Sequence, residues 1–110
     1  MQRIDGAEAI EVLGNEDWRT EFEVYDEGNV TVFMNNYGIP VAALRWGDND
    51  TTAIHFFETR WPGSGIGGEI IEELKVSVPG LSIGGEIDSD NCARFWQAHG
   101  FDMNGVQVSR

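Results

Sequence analysis

The chain has 110 residues, of which 41% are hydrophobic and 11% aromatic, so it is long and apolar enough for a single domain with its own core over residues 1–110. Its 19 acidic residues against 7 basic ones give a formal charge of −12. This charge argues against nucleic acid or an anionic membrane as a partner, because both are bound mainly through Lys and Arg. The single cysteine, Cys92, excludes an internal disulfide and offers no metal cluster.

The N-terminal residues contain a helix start signal. Asp5 is followed three positions later by Glu8, a spacing typical of a capping box, which predicts a short helix through Leu13. The first residues have no apolar run of signal-peptide length, and no segment approaches the length of a membrane span. The sequence therefore predicts a cytoplasmic protein.

Alternating apolar and polar residues predict four strands in the next part of the chain. The alternation occurs at 22–25, 30–34, 40–46 and 51–58, and turn residues such as Asn36 and Gly38 separate the segments. A period of two residues is typical of strands with one buried face. We expect these segments to form an antiparallel meander, since short connections join neighbouring antiparallel strands.

The last part of the chain changes to helical patterns. The run after Gly65 predicts a helix over 65–75, and a Pro-Gly pair then breaks it. A strand over 81–87, a helix over 90–98 and a last strand over 103–108 follow. The predicted fold class is therefore α+β, with a central mixed sheet flanked by helices and the order meander, helix, strand, helix, strand.

A glycine-rich turn joins the fourth predicted strand to the helix after it. Residues 56–68 read FFETRWPGSGIGG, directly before EIIEELK. Such a turn lets a ligand approach the backbone, and the following helix presents unpaired N–H groups and a positive dipole end to an anion. A P-loop is a poor match because no lysine follows Gly68 before Lys75. The pattern GxGxGG also departs from the dinucleotide fingerprint.

Together with DNCARFWQAHGF at 90–101, the glycine turn resembles the GNAT superfamily of acyl-coenzyme A dependent N-acyltransferases. The resemblance covers residues 40–108. It implies the GNAT fold, acetyl-coenzyme A as the acyl donor substrate, and a turn at 62–67 that binds the pyrophosphate through backbone N–H groups. The residues that it assigns to donor binding are Phe57, Thr59, Pro62, Gly63, Ser64, Gly65, Ile66, Gly67, Gly68, Asn91 and Trp96.

Two residues are candidates for the base that deprotonates an attacking amine. Glu86 matches a glutamate that acts as base in some members of the resembled family. His55 lies on the predicted strand before the turn, and histidine changes its charge near neutral pH. The resemblance therefore predicts transfer of an acetyl group to a primary amine by direct attack, with Glu86 as the base. His55 is the second candidate, on the chemistry of its side chain. The negative charge favours a cationic acceptor, either a small amine or a peptide.

Departures from the family pattern support a second hypothesis. Trp96 stands where the family has the tyrosine that protonates the departing thiolate, and an indole N–H cannot do this. Pro62 stands where the family has Arg or Gln, and only residues 1–19 precede the predicted meander. The alternative is a catalytically inactive binding or regulatory protein, for example an acidic nucleic-acid mimic that binds a basic protein. The C-terminal VQVSR segment predicts a possible homodimer by strand pairing.

Overall fold

The computed structural model describes residues 1–14, 29–47, 50–61, 63–84 and 90–108. Five strands and three helices lie in these ranges. In chain order they are β1 (Gln2–Asp5), α1 (Ala7–Gly14), β2 (Val30–Met34), β3 (Pro40–Gly47), β4 (Asp50–Thr59), α2 (Ile66–Ser77), β5 (Ser82–Ile83) and α3 (Asp90–Ala98). None of these helices is long and apolar enough to span a membrane.

The five strands form one mixed sheet in the order β1-β2-β3-β4-β5. Strands β1 to β4 pair antiparallel with their neighbours, whereas β5 pairs parallel to β4. The parallel pairing is possible because α2 provides the crossover between these two strands. The predicted α+β class and mixed sheet are confirmed.

The helices cover both faces of the sheet, and two apolar clusters hold them there. On one face α1 packs on β2 and β3 through Ala9, Leu13, Val30, Val32 and Ala43. On the other face α2 and α3 pack on β3 and β4 through a larger buried cluster, which includes Leu44, Trp46, Ile54, Ile70, Ile71, Leu74 and Trp96. Burial of these side chains is the main stabilising contribution.

A bulge in β4 changes which side chains face α2 and α3. Arg45 pairs with Phe56 and Trp46 pairs with Ile54, so His55 has no residue opposite it in β3. A bulge shifts the alternation of side chains by one position. Because of this shift, Ile54 lies with the α2 and α3 cluster, while Phe56 packs on the α1 side.

The N-terminal prediction is wrong in part. Residues 2–5 form an edge strand that was not predicted, and the helix begins after Gly6, which has φ 71°. The Ile10 N–H donates to the Gly6 carbonyl at 3.1 Å. The Asp5 carboxylate instead accepts hydrogen bonds from Arg3 and Thr31. The predicted strand at 22–25 lies outside the described residues.

Helices α2 and α3 confirm the predicted helices at 65–75 and 90–98 within two residues. The predicted strand at 81–87 is present as Ser82–Ile83, and 85–87 lie outside the described residues.

The prediction of a last strand at 103–108 is wrong. Only an isolated bridge between Phe101 and Gln107 occurs in this part of the described chain. The Asp102 carboxylate accepts the N–H groups of Asn104 and Val106 at 2.8 and 3.1 Å, which closes a tight turn in place of the strand.

A hydrogen-bond chain that is buried at one end crosses the first three strands and leads to a test of stability. The Trp46 indole N–H donates to the Thr31 hydroxyl oxygen at 2.9 Å, and this hydroxyl donates to the Asp5 carboxylate at 2.5 Å. Thr31→Val removes the middle member and leaves the buried indole N–H without its acceptor. We expect a loss of about 1–3 kcal/mol in the free energy of unfolding, measured with urea.

The control is Thr31→Ser, which keeps the hydroxyl group. It should retain most of the stability that Thr31→Val loses. Equal stabilities of the two variants would show that the hydrogen-bond chain contributes nothing.

Candidate functional site

A cavity of about 900 Å³ lies between β4, α2 and α3, a volume in the range of small-molecule sites. It is lined by the second half of β4, the glycine turn, the first two turns of α2 and the last two turns of α3. Ile83 of β5 also lines it. The cavity is therefore built from the elements that the sequence motifs occupy.

The parallel pair β4 and β5 lies beside this cavity. In the described residues β4 pairs with β5 at Ala53 and Ile54, and the Gly84 N–H donates to the Ile54 carbonyl at 2.8 Å. Strand β4 continues to Thr59, and its residues 54–57 and 59 line the cavity. This part of β4 can therefore contact a ligand.

Three aromatic side chains form an apolar wall of the cavity. The Phe57 ring lies 6.4 Å from the Phe95 ring and 6.3 Å from the Trp96 ring, and the last two rings meet edge to face at 4.8 Å. Trp96 is only 7% exposed and also contacts Phe101 at 5.7 Å. These mutual contacts fix the ring planes and leave a rigid apolar surface.

The glycine turn brings backbone N–H groups to another part of the cavity. Gly65 is the N-cap of α2 in the left-handed region, with φ 87° and no side-chain capping bond. The first intrahelical bond runs from the Glu69 N–H to the Gly65 carbonyl at 3.1 Å. The N–H groups of Gly67 and Gly68 precede this bond and have no acceptor within the helix, so they can bind an anion.

Gly67 also keeps the helix close to the apolar wall. A Cβ at Gly67 would lie 3.3 Å from the Phe95 ring and 3.4 Å from the Thr59 methyl carbon. Contacts of this length are tighter than ordinary van der Waals packing. A larger residue at Gly67 would therefore push α2 away from β4 and α3.

His55 projects from the bulge into the cavity. Its ring lies against two glycines, because a Cβ at Gly84 would be 2.6 Å and one at Gly47 would be 2.8 Å from Nε2. Both backbone positions leave space that the imidazole fills. The imidazole is thus held beside the described end of the pairing between β4 and β5.

Glu72 and His99 face each other on the α2 and α3 sides of the cavity. The His99 Nδ1 lies 3.5 Å from a Glu72 carboxylate oxygen, and Lys75 donates to both carboxylate oxygens at 3.1 and 3.2 Å. The hydrogen bond from Lys75 is the main cause of the lowered pKa of Glu72. Glu72 is therefore ionised at neutral pH, with a cation beside it.

The structure brings most of the predicted site residues together. Those that line the cavity are His55, Phe57, Thr59, Gly63, Gly65, Gly67, Gly68 and Trp96. Two others lie nearby without lining it: Ser64 accepts a long hydrogen bond of 3.5 Å from the Ile66 N–H, and Ile66 packs on the core. Glu86 and Pro62 lie outside the described residues, as does the side chain of Asn91.

Other residues line the cavity that the sequence motifs did not assign to it. They are Ile54, Phe56, Glu69, Glu72, Ile83, Phe95 and His99. The helical members follow a spacing of three or four residues, as in Glu69 with Glu72 and Phe95 with His99. This spacing places each pair on one helix face. It is the sequence signal from which these lining residues could have been identified.

No family model, curated protein or solved structure matches this chain. The geometry of the cavity and the sequence motifs are therefore the basis for a functional proposal.

Proposed function

We propose that this protein is a small N-acetyltransferase with the GNAT fold, which transfers an acetyl group from acetyl-coenzyme A to a primary amine. The observation that carries the proposal is the cavity beside the parallel pair β4 and β5, with the glycine-capped start of α2 at its edge. A thioester with a polyphosphate tail needs both an apolar channel and an anion site, and this arrangement supplies both.

The donor substrate would divide between two parts of the cavity. The pyrophosphate would accept hydrogen bonds from the N–H groups at Gly67 and Gly68, where the helix dipole favours negative charge. The pantetheine arm would lie along the apolar wall formed by Phe57, Phe95 and Trp96. This division would place the thioester near His55, which also lines the cavity.

The negative charges along α2 are compatible with an anionic donor only because a neighbouring cation partly neutralises one of them, that of Glu72. Glu69 and Glu72 both line the cavity, and each would repel phosphate. The Lys75 ammonium group lies 3.1 Å from a Glu72 carboxylate oxygen and reduces that repulsion. Glu69, in the first turn, is the remaining unfavourable charge near the proposed phosphate site.

His55 is the proposed general base in the described part of the cavity. A primary amine must lose a proton before or during attack on the thioester carbonyl. The amine nitrogen forms a bond to the carbonyl carbon, the carbon–sulfur bond breaks, the amine proton passes to the imidazole, and the thiolate takes a proton from water. Glu86 remains the alternative base.

We propose a cationic acceptor, either a small amine or an amine of a peptide. The formal charge of −12 attracts cations over the whole surface. A homodimer and a cytoplasmic location also remain proposals. The exposed Met103, Val106 and Val108 of the C-terminal segment are compatible with a subunit contact.

One observation favours a second function, which is binding of an acyl-coenzyme A without catalysis. Trp96, in the place of the proton-donating tyrosine, is buried among aromatic rings and has no hydroxyl group. A departing thiolate would therefore take its proton from water. Donor binding without turnover of any amine would support this second function.

The substitution Gly65→Glu tests the donor site. It forces a non-glycine residue into the left-handed region and puts a carboxylate beside the proposed phosphate position. Together these effects should weaken acetyl-coenzyme A binding by at least about tenfold, measured by calorimetric titration at two salt concentrations.

Gly38→Glu is the matched control for this substitution. Gly38 also has a positive φ, 76°, with no atom within 4 Å of an added Cβ, and it does not line the cavity. This variant should bind the donor as the wild type does. An absence of donor binding by the wild type at both salt concentrations would overturn the proposed function.

A further inference from the structure

Trp61 is an exposed aromatic residue at the edge of the cavity. It is 46% exposed, which is a large fraction for tryptophan, the largest residue type. It lines the cavity together with Gly63 and Gly65. Trp61 follows the end of β4 by two residues. An indole in this place borders the same opening as the proposed phosphate site.

Backbone hydrogen bonds and a neighbouring cation hold Trp61 in position. The Arg60 N–H donates to the Val41 carbonyl at 2.8 Å, which extends the pairing of β4 with β3 beyond Thr59. The Ser64 N–H donates to the Trp61 carbonyl at 3.3 Å. The Arg60 guanidinium lies 5.2 Å from the centre of the indole ring, a cation–π contact that restrains the ring plane.

We infer that Trp61 is a stacking platform for the purine base of the donor substrate, an inference that rests on the proposed function. Every nucleobase has a π-face that stacks on an indole. The indole borders the cavity on the side of the glycine turn, so a base joined to phosphates at that turn lies within reach of it. Arg60 adds positive charge beside a ligand that is itself an anion.

A comparison with another exposed aromatic residue shows why Trp61 is distinctive. Tyr37 is 88% exposed but does not line the cavity, and single exposed aromatic residues are common on protein surfaces. Trp61 combines exposure with a place in the cavity wall and an adjacent cation. This combination is what a base-stacking residue requires.

The test compares three ligands with the wild type and three variants. The ligands are acetyl-coenzyme A, adenosine 3′,5′-bisphosphate, which carries the base, and S-acetylpantetheine, which lacks it. The variants are Trp61→Ala, Trp61→Phe and the control Tyr37→Ala. Binding is measured by calorimetry, and circular dichroism checks that each variant is folded.

We expect Trp61→Ala to weaken binding of both adenine-containing ligands by about ten- to a hundredfold, the range for loss of one base–aromatic stack. Binding of S-acetylpantetheine should not change. Trp61→Phe should keep most of the affinity because a phenyl ring still stacks, and Tyr37→Ala should resemble the wild type. Adenosine 3′,5′-bisphosphate should also quench tryptophan fluorescence in the wild type and not in Trp61→Phe.

The outcomes separate this inference from the proposed function. If Trp61→Ala binds acetyl-coenzyme A as tightly as the wild type, the stacking role is wrong while the donor site stands. If the wild type binds adenosine 3′,5′-bisphosphate through Trp61 but does not bind S-acetylpantetheine, the stacking role stands and acetyl transfer is overturned. If the wild type binds none of the three ligands, both are overturned.

Discussion

His55→Gln is expected to lower the turnover of an amine acceptor at neutral pH by about a hundred- to a thousandfold, since a positioned general base contributes this order of rate enhancement. Glutamine keeps a polar side chain of similar reach but cannot take up a proton. Because His55 lies at the bulge of β4, away from the proposed phosphate and pantetheine contacts, donor binding should remain near the wild-type value. Turnover with saturating acetyl-coenzyme A measures the effect.

The pH dependence gives a second measure of the role of His55. A base is needed least at high pH, where more of the acceptor amine is already neutral. The defect of His55→Gln should therefore shrink as the pH rises toward the pKa of the acceptor. A defect of the same size at every pH would assign His55 a structural role instead.

Gly84→Ala is a companion to His55→Gln that keeps the imidazole group but changes its position. The added methyl group would lie 2.6 Å from Nε2 of His55 and must displace the ring. We expect reduced turnover with little change in donor affinity, because Gly84 does not line the cavity. If Gly84→Ala is fully active while His55→Gln is not, the exact position of the ring is unimportant. Full activity of both variants would leave Glu86 as the candidate base.

The helices beside the cavity were predictable because their signals are local and strong. Helix α2 follows a glycine turn and ends near a Pro-Gly pair, and α3 has a clear helical pattern. Strand β1 was missed because four residues at a sheet edge give too short a pattern, and their pairing with β2 is distant in sequence. The acidic pair at Asp5 and Glu8 resembled a cap, but Asp5 pairs with Thr31 instead.

The difference between local sequence signals and contacts between distant residues also explains which site residues were predictable. The glycine turn was readable because its residues are adjacent in the sequence, whereas Glu72 and His99 meet only through the packing of α2 against α3. The bulge at His55 was not predictable, since the extra residue of β4 is defined by its register with β3. Local motifs therefore located the cavity, and tertiary packing selected several of its lining residues.

Gly105→Ala is expected to cause the largest loss of stability, about 3–5 kcal/mol in the free energy of unfolding, because strain and overpacking act together. Gly105 is buried with φ 78°, and its carbonyl accepts the Ile83 N–H at 2.8 Å. A Cβ at this position would overlap the Ile83 carbonyl oxygen. The hydrogen bond and the steric overlap both join residue 105 to Ile83. The backbone therefore cannot move to relieve the overlap without disturbing the hydrogen bond.

Gly38→Ala separates the two causes. Gly38 has nearly the same φ, 76°, but open space around an added Cβ, so it should cost only the strain of about 1 kcal/mol. Equal urea midpoints for the two variants would show that the contact between Gly105 and Ile83 does not hold the structure together. The expected difference has a functional consequence, because Ile83 belongs to β5 and lines the cavity. Gly105→Ala should therefore weaken donor binding even under conditions where the protein remains folded, while Gly38→Ala should not.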